Sequence, residues 1–198
     1  MNMKDRRAYQ QTARAQKAAE TVERVLDEAE ALFASELFDR VTLDAVARAA
    51  GVSIPTLQRN FGNKEGLFAA VGGRLRTRVE AQRRPPPGDL EGALAALLRH
   101  YERDGRTMWH LLRQEADVPL LHAGLDEARG VHRAWVVEVF ARSLRALRGA
   151  GRERYIDALV AATDLYLWKL LRVDLGRTQR QVAHTMTAMA LAVAGRER

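Results

Sequence analysis

The 198-residue sequence contains no cysteine, so the chain cannot form a disulfide, a Cys-ligated zinc site or a thiol nucleophile. It has no apolar run near the roughly 18–20 residues that a helix needs to cross a bilayer. Its first residues lack the apolar core of a signal peptide. We therefore expect a cytoplasmic protein that does not enter a membrane.

Common enzyme motifs are missing as well. The five histidines are never four residues apart, and none follows a glutamate by three positions, as in di-iron bundles. They are His100, His110, His122, His132 and His184. No Gly-x-Ser-x-Gly elbow or Gly-x-x-x-x-Gly-Lys loop occurs. We expect no catalytic residue, metal ligand or cofactor; the alternative function is a helical-bundle enzyme or metal-binding protein that uses the C-terminal domain.

The composition favours helices and a polyanionic partner. Leu, Ala, Arg and Glu dominate, and no segment alternates convincingly enough to be a strand. The net charge is +7, which suits nucleic acid, but the charge is spread evenly along the chain. Composition therefore predicts an all-α protein and permits DNA binding, whereas the case for DNA depends on a motif.

That motif lies in residues 42–61, which predict two short helices joined by a tight turn. Apolar residues of the first helix recur at spacings of three and four. Thr42 and Ser53 are candidate N-caps, and Pro55 is tolerated in a first turn. Gly51 stands where a helix would end in a left-handed residue. The pattern is typical of a helix-turn-helix.

The second helix of this unit has a polar outer face. Leu57 and small Ala47 allow the two helices to cross closely, which leaves the other side chains of the second helix pointing outward. Gln and Asn can bond adenine edges, Arg can bond guanine, and Thr or Ile can contact a thymine methyl. The outward residues are Ile54, Pro55, Thr56, Gln58, Arg59 and Asn60.

An ordered set of residues includes the motif and its flanks. The set comprises Ala29-x-x-Leu32-Phe33, Phe38, Thr42-Leu43, Val46-Ala47-x-x-Ala50-Gly51-Val52-Ser53, Thr56-Leu57, Phe61, Lys64-Glu65 and Leu67-Phe68. Over about residues 20 to 72, this set resembles the TetR family of bacterial one-component repressors. The resemblance implies an N-terminal three-helix helix-turn-helix domain and a C-terminal helical ligand-binding and dimerisation domain, about nine helices in all.

Five positions depart from the usual family pattern. The family usually has glycine where Leu37 stands, and it often has tyrosine at the position of Gln58 and histidine at that of Asn60. Those two family residues commonly contact phosphates, and the amides here retain hydrogen-bonding capacity. Ile54-Pro55 replaces a frequent polar-Gly pair, which makes the start of the recognition helix less polar.

The expected DNA-binding residues combine the outward face with the helix starts. Lys64 follows the candidate N-cap Asn63, so its ammonium group and the free N–H groups of the next helix converge on one place for a phosphate. In the resembled family this lysine contacts the DNA backbone. The full set is Thr42, Leu43, Ser53, Ile54, Pro55, Thr56, Gln58, Arg59, Asn60 and Lys64.

Four segments follow from composition and breaks. Residues 1–17 are expected to be a basic flexible arm, or alternatively the start of a longer first helix. Residues 18–82 would form the helix-turn-helix domain with a connecting helix 4. Residues 83–88 contain three consecutive prolines and would form a linker. Residues 89–198 would form the effector-binding and dimerisation domain.

The last two helices, expected near residues 153–172 and 178–194, are apolar on more than one face. Such helices must be covered on more than one side, so we expect a homodimer joined by a four-helix bundle, with a wide core inside one subunit as the alternative. The expected interface residues are Ile156, Leu159, Thr163, Leu167, Val182, Met186, Met189 and Val193.

The sequence says little about which small molecule the protein would bind. Polar and aromatic residues of the C-terminal domain are candidate pocket residues, although each could equally belong to the core. They are Tyr101, Trp109, His110, Arg113, His132, Trp135 and Tyr166. The expected function is a ligand-responsive homodimeric repressor that binds a palindromic operator on double-stranded DNA; an activator would have the same sequence features.

Overall fold

The computed structural model describes residues 3–83 and 88–195, with side chains from residue 12 onward. Every regular element in these residues is helical, which confirms the all-α prediction. The chain divides into two compact units, residues 1–75 and 76–198, and the boundary falls inside one helix. Residues 84–87 of the expected proline-rich linker lie outside the described residues.

Ten α-helices occur in the described residues, two of which are short continuations that follow a break. They are α1 Met3–Ser35, α2 Leu43–Ala50, α3 Ile54–Phe61, α4 Lys64–Gln82, α5 Leu90–Leu112, α6 Pro119–Val139, α7 Ala141–Leu144, α8 Gly149–Thr163, α9 Leu165–Lys169 and α10 Gln179–Ala194. A 3-10 turn spans Phe38–Arg40, and a π-helical turn spans Leu170–Asp174. Because α7 continues α6 and α9 continues α8, the count agrees with the expected nine or so.

The first helix begins before residue 18, where the helix-turn-helix domain was expected to start. It begins at Met3, so residues 3–17 are helical and correspond to the longer first helix that the sequence left open, rather than to an irregular arm. Only residues 1 and 2 of this segment lie outside the described part of the chain.

The unit of residues 1–75 is held together by the inner faces of α1 to α4. Leu57 of α3, Val46 of α2 and Ala29 of α1 are all fully buried. The rings of Phe33, Phe38 and Phe68 pack edge-to-face or stacked, with centroids 4.9–5.8 Å apart. Aromatic clusters of this kind add about 0.5–1.5 kcal/mol per pair beyond burial of apolar area. They fix the 3-10 turn between α1 and α2.

The unit of residues 76–198 has one continuous apolar core, to which α5, α6, α8, α9 and α10 contribute. Trp168 of α9 is the largest fully buried side chain in this part of the structure. It lies directly over Gly105 of α5, where an added Cβ would come within 2.5 Å of the indole ring. A glycine is therefore required in the middle of α5.

The structure places most of the expected dimer stripe inside its own subunit. Five of its eight residues are buried in the core of their own subunit and cannot offer surface to a partner: Ile156, Leu159, Thr163, Val182 and Met186. Leu167 and Val193 are half-buried, and Met189 is the exposed member of the stripe. The wide intrasubunit core, which the sequence left as the alternative, takes the more apolar face of both helices.

Candidate DNA interface and effector site

The helix-turn-helix is built by local interactions that the sequence anticipated. Thr42 Oγ1 accepts a hydrogen bond from Ala45 N at 3.1 Å, and Ser53 caps α3 by accepting from Thr56 N. Gly51 adopts φ +64° between the helices, a left-handed conformation that costs glycine little. These contacts confirm both caps and the turn glycine, and they orient α3 against α2.

Burial of Leu57 places the opposite face of α3 in solvent. Pro55, Gln58, Arg59 and Asn60 are exposed, and the Ile54 side chain is 37 % exposed although it is apolar. An exposed isoleucine beside polar groups suits contact with a thymine methyl. The outward face expected from the sequence is thus the face that solvent reaches.

Not all of these side chains are equally available. Within the described residues, the side chains of Gln58 and Arg59 make no hydrogen bond or ion pair. Asn60 Nδ2 donates to Thr56 O at 2.8 Å, and the Thr56 hydroxyl lies 2.9 Å from Ser53 Oγ. Gln58 and Arg59 are therefore the side chains best placed to bond base edges without first breaking an internal contact.

Lys64 has a structural role that the sequence did not predict. Its Nζ donates to Phe38 O at 3.1 Å and lies 4.4 Å from the centroid of the Phe38 ring. Asn63 Oδ1 accepts from Gly66 N at 2.8 Å, which confirms the N-cap of α4. An ammonium group has three donors, so the bond to Phe38 leaves two for a phosphate. Contact between Lys64 and DNA stays a prediction.

The seven expected effector residues fall into two separate groups. Tyr101, His132 and Trp135 are buried together, whereas the other four lie around the end of α5. Trp109 packs edge-to-face on Tyr166 at 5.8 Å, and Arg113 Nη2 lies 2.9 Å from His110 Nδ1. Tyr166 is 51 % exposed. The structure therefore does not unite these residues in one pocket.

The buried group is a polar cluster inside the apolar core. Tyr101 Oη donates to Thr163 O at 3.0 Å, and His132 Nε2 lies 3.1 Å from Thr163 Oγ1. The His132 ring stacks on Trp135 at 5.6 Å. Burial, assisted by the charge of Arg83, lowers the pKa of His132 to about 4, so this imidazole is neutral at pH 7. Burial raises the pKa of Tyr101.

Sequence reasoning missed two members of this cluster. Arg83 was assigned to the linker and Thr163 to the dimer stripe, yet both are buried beside Tyr101 and His132. Hydrophobic periodicity carries no signal for a buried arginine next to prolines, since only the arrangement of α5 and α6 encloses it.

No group of three or more acidic or histidine side chains in the described residues is arranged to hold a metal ion. None of the described helices is both long and apolar enough to span a bilayer.

Comparison with known proteins agrees with this architecture. The family model for bacterial regulatory proteins of the tetR family matches residues 25–71, which include the whole helix-turn-helix. No curated protein matches the chain.

Solved structures share the fold over most of the chain. A TetR-like transcriptional regulator from Rhodococcus sp. RHA1 is 22 % identical, with 89 % of this chain and 97 % of that chain covered and a TM-score of 0.65. A tetR-family regulator from Streptomyces coelicolor is 20 % identical (89 % and 83 % covered, TM-score 0.63). SmeT in complex with triclosan is 20 % identical (87 % and 90 % covered, TM-score 0.67). Residues 25–71 of this chain are therefore similar to the tetR family of bacterial regulatory proteins, and its fold is the one that these solved structures share.

Proposed function

We propose that this protein is a transcriptional regulator that binds double-stranded DNA sequence-specifically by inserting α3 into the major groove. The observation that carries the proposal is the exposed, uncommitted pair Gln58 and Arg59 on the face of α3 opposite buried Leu57. Gln suits adenine and Arg suits guanine, while Ile54 can contact a thymine methyl. The helix starts at exposed Thr42 and Ser53 and at half-buried Lys64 would supply N–H groups and charge for phosphates.

The regulator would act as a homodimer on a palindromic operator. Two recognition helices related by a two-fold axis reach successive major grooves about 34–36 Å apart. The surface that supports dimerisation is the outer face of α8 and α10, rather than the stripe expected from the sequence. Small or apolar side chains are exposed there, which lets helices of a partner approach closely. They are Ala158, Ala161, Ala188, Met189, Leu191 and Ala192.

A small molecule bound in the unit of residues 76–198 would control this activity in the cytoplasm. Support comes from the shared fold with SmeT, which was solved in complex with triclosan. Repression follows if the ligand prefers the state that does not bind DNA, since a ligand shifts an equilibrium only by its differential affinity.

Selection of bound duplexes from a random library tests the proposal. We expect enrichment of a two-fold palindrome whose half-sites are centred about 10–10.5 base pairs apart. A Gln58→Ala/Arg59→Ala double variant should lose the enrichment, while Arg142→Ala, which removes an exposed arginine of α7, should keep it. Recovery of random sequences with the wild-type protein would refute sequence-specific binding.

A further inference from the structure

Arg83 is a cation buried in the unit of residues 76–198. Its side chain is 7 % exposed, and burial lowers the pKa of its guanidinium group. No carboxylate of the described residues forms an ion pair with it, and its Nε has no hydrogen-bond acceptor. An unpaired buried charge is costly, so proteins seldom retain one without a ligand or partner.

Aromatic rings hold the guanidinium group in place without neutralising it. The Cζ atom of Arg83 lies 5.4 Å from the centroid of Tyr101 and 6.0 Å from that of Trp135. Trp135 Nε1 donates to the Arg83 carbonyl at 3.3 Å, which anchors the backbone of this residue. The guanidinium is therefore positioned between flat apolar surfaces that would suit an aromatic or apolar ligand body.

Asp104 attracts Arg83 at longer range but forms no ion pair with it. Its carboxylate accepts from Arg103 Nη2 at 2.6 Å and lies 2.9 Å from His100 Nδ1. These partners hold the pKa of Asp104 well below its usual range although burial alone would raise it. The direct hydrogen bonds of Asp104 thus go to Arg103 and His100, and the Arg83 guanidinium is left without a direct carboxylate contact.

A second unsatisfied atom in this cluster is the Nδ1 of His132. Thr163 Oγ1 donates its one hydrogen to backbone carbonyls, with Leu159 O at 2.7 Å, so it can only accept from His132 Nε2–H. The neutral imidazole then carries its proton on Nε2, and its buried Nδ1 is a free acceptor. The cluster thus offers one charged donor and one neutral acceptor.

A cleft of about 360 Å³ occurs in the same unit and has a basic lining. It is lined by Gln82, Ala96, Arg99, His100 and Arg103. Gln82 precedes Arg83 in the chain, and His100 precedes Tyr101. Burial lowers the pKa of His100, and Arg103 is paired with Asp104. Arg99 is therefore the lining charge that would attract anions toward this part of the unit.

We propose that Arg83 and His132 form the polar end of the effector site, and that the effector is a small organic acid bearing a hydroxyl group. The carboxylate would accept hydrogen bonds from the Arg83 guanidinium, and the hydroxyl would donate to His132 Nδ1. The apolar or aromatic body of the acid would pack against Tyr101 and Trp135. This inference rests on the proposed function, because it names the chemical class of the ligand that would control DNA binding.

Titration of the purified protein with 2-, 3- and 4-hydroxybenzoate tests the chemical class without any variant. We expect one of the three to bind saturably at one site per chain. Benzoate, which lacks the hydroxyl donor, and the corresponding hydroxybenzamide, which lacks the charge, should each bind about 10-fold to 100-fold more weakly. Calorimetry and quenching of tryptophan fluorescence would both report the binding.

Two substitutions then assign the residues. Arg83→Met should weaken binding of the hydroxybenzoate at least 10-fold. Arg142→Met, which removes an exposed arginine of α7, should leave this affinity unchanged. If Arg83→Met does not fold, Arg83→Lys replaces it and should also weaken binding, because lysine loses the planar fork of donors. His132→Phe should abolish the preference for hydroxybenzoate over benzoate. Absence of binding by all three hydroxybenzoates, or equal binding by wild type and the Arg83 variant, would overturn the inference.

The two proposals fail in different measurements. Acid binding is measured on the free protein, whereas DNA binding is measured by duplex selection. If selection yields no palindrome while the acid binds through Arg83, the regulator proposal fails and the ligand site stands. If the palindrome is recovered while no hydroxybenzoate binds, only the effector class is refuted.

Discussion

At the scale of single residues, Arg59 and Lys64 are cations with different surroundings. Arg59 is exposed on α3 and makes no side-chain bond within the described residues. Lys64 is half-buried and tied to the carbonyl and ring of Phe38. We therefore expect Arg59 to discriminate between bases, and Lys64 to position a phosphate while stabilising the turn before α2.

Substitution of these two residues should separate the roles. Arg59→Ala should cost about 1–3 kcal/mol on the cognate duplex and relax specificity at one base pair. Lys64→Ala should weaken binding to every duplex and reduce the salt slope by about one. Binding isotherms at several salt concentrations, on cognate and single-mismatch duplexes, measure both effects. Uniform loss across sequences for Arg59→Ala would make it a phosphate contact, and an unchanged slope would remove Lys64 from the interface.

At the scale of elements, α4 is fastened to α1 by one arginine. Arg74 Nη1 donates to Asp27 at 2.7 Å, and Nη2 donates to Glu30 at 2.7 Å. Glu23 lies 3.3 Å from Nη1, and the arginine side chain is 21 % exposed. Three carboxylates on successive turns of α1 would repel one another without this cation. These ion pairs of Arg74 therefore orient the first half of α4 against α1.

Removal of the Arg74 ion pairs should destabilise the unit of residues 1–75. We expect Arg74→Met to lower the free energy of unfolding by about 1–3 kcal/mol, because hydrogen bonds to charged groups are lost and the acidic cluster remains. The difference in unfolding free energy between the wild type and Arg74→Met should become smaller in 1 M salt, because salt screens the repulsion among the acidic side chains. Arg48→Met is the matched control, since its exposed pair with Asp44 is worth about 0.3–0.5 kcal/mol. Denaturant unfolding of the wild type and the two variants measures these free energies. Equal losses of stability for Arg74→Met and Arg48→Met would contradict a stabilising role for the Arg74 ion pairs.

At the scale of the whole molecule, the match of residues 25–71 to the tetR-family model supports the proposed regulatory function. The family match and the shared fold favour the proposed transcriptional regulator over the helical-bundle enzyme. What a regulator of this kind needs besides DNA contact is an assembly that spaces two recognition helices. The exposed alanines of α8 and α10 are the surface that we propose for it.

A charge on this surface should disrupt the assembly. Ala161→Arg places a guanidinium on the outer face of α8, where pairing of two copies would bury two like charges, so we expect a monomer at concentrations where the wild type is dimeric. Operator affinity should fall accordingly, since the half-sites are then bound independently. Ala123→Arg, at an exposed site of α6, is the control. Light scattering after size-exclusion chromatography measures the mass, and a dimeric Ala161→Arg protein would exclude this face.

The sequence by itself determined the helix-turn-helix and the all-α class. Its decisive features act within about twenty residues: the caps at Thr42 and Ser53, the left-handed Gly51 and the spacing that buries Leu57. Because hydrogen bonds of a helix end and the sterics of a turn are local, they can be inferred without knowing the rest of the fold.

Only the tertiary structure decided which face of α8 and α10 is covered, and what surrounds Arg83. Ile156 and Ala161 lie on two non-polar sides of the same helix, and the helix periodicity cannot say which side meets the subunit's own core. That choice depends on how α5, α6 and α10 pack around α8, which is a property of contacts distant in the sequence. The burial of Arg83 beside Tyr101 and Trp135 has the same origin, because residues more than fifty positions apart create that environment.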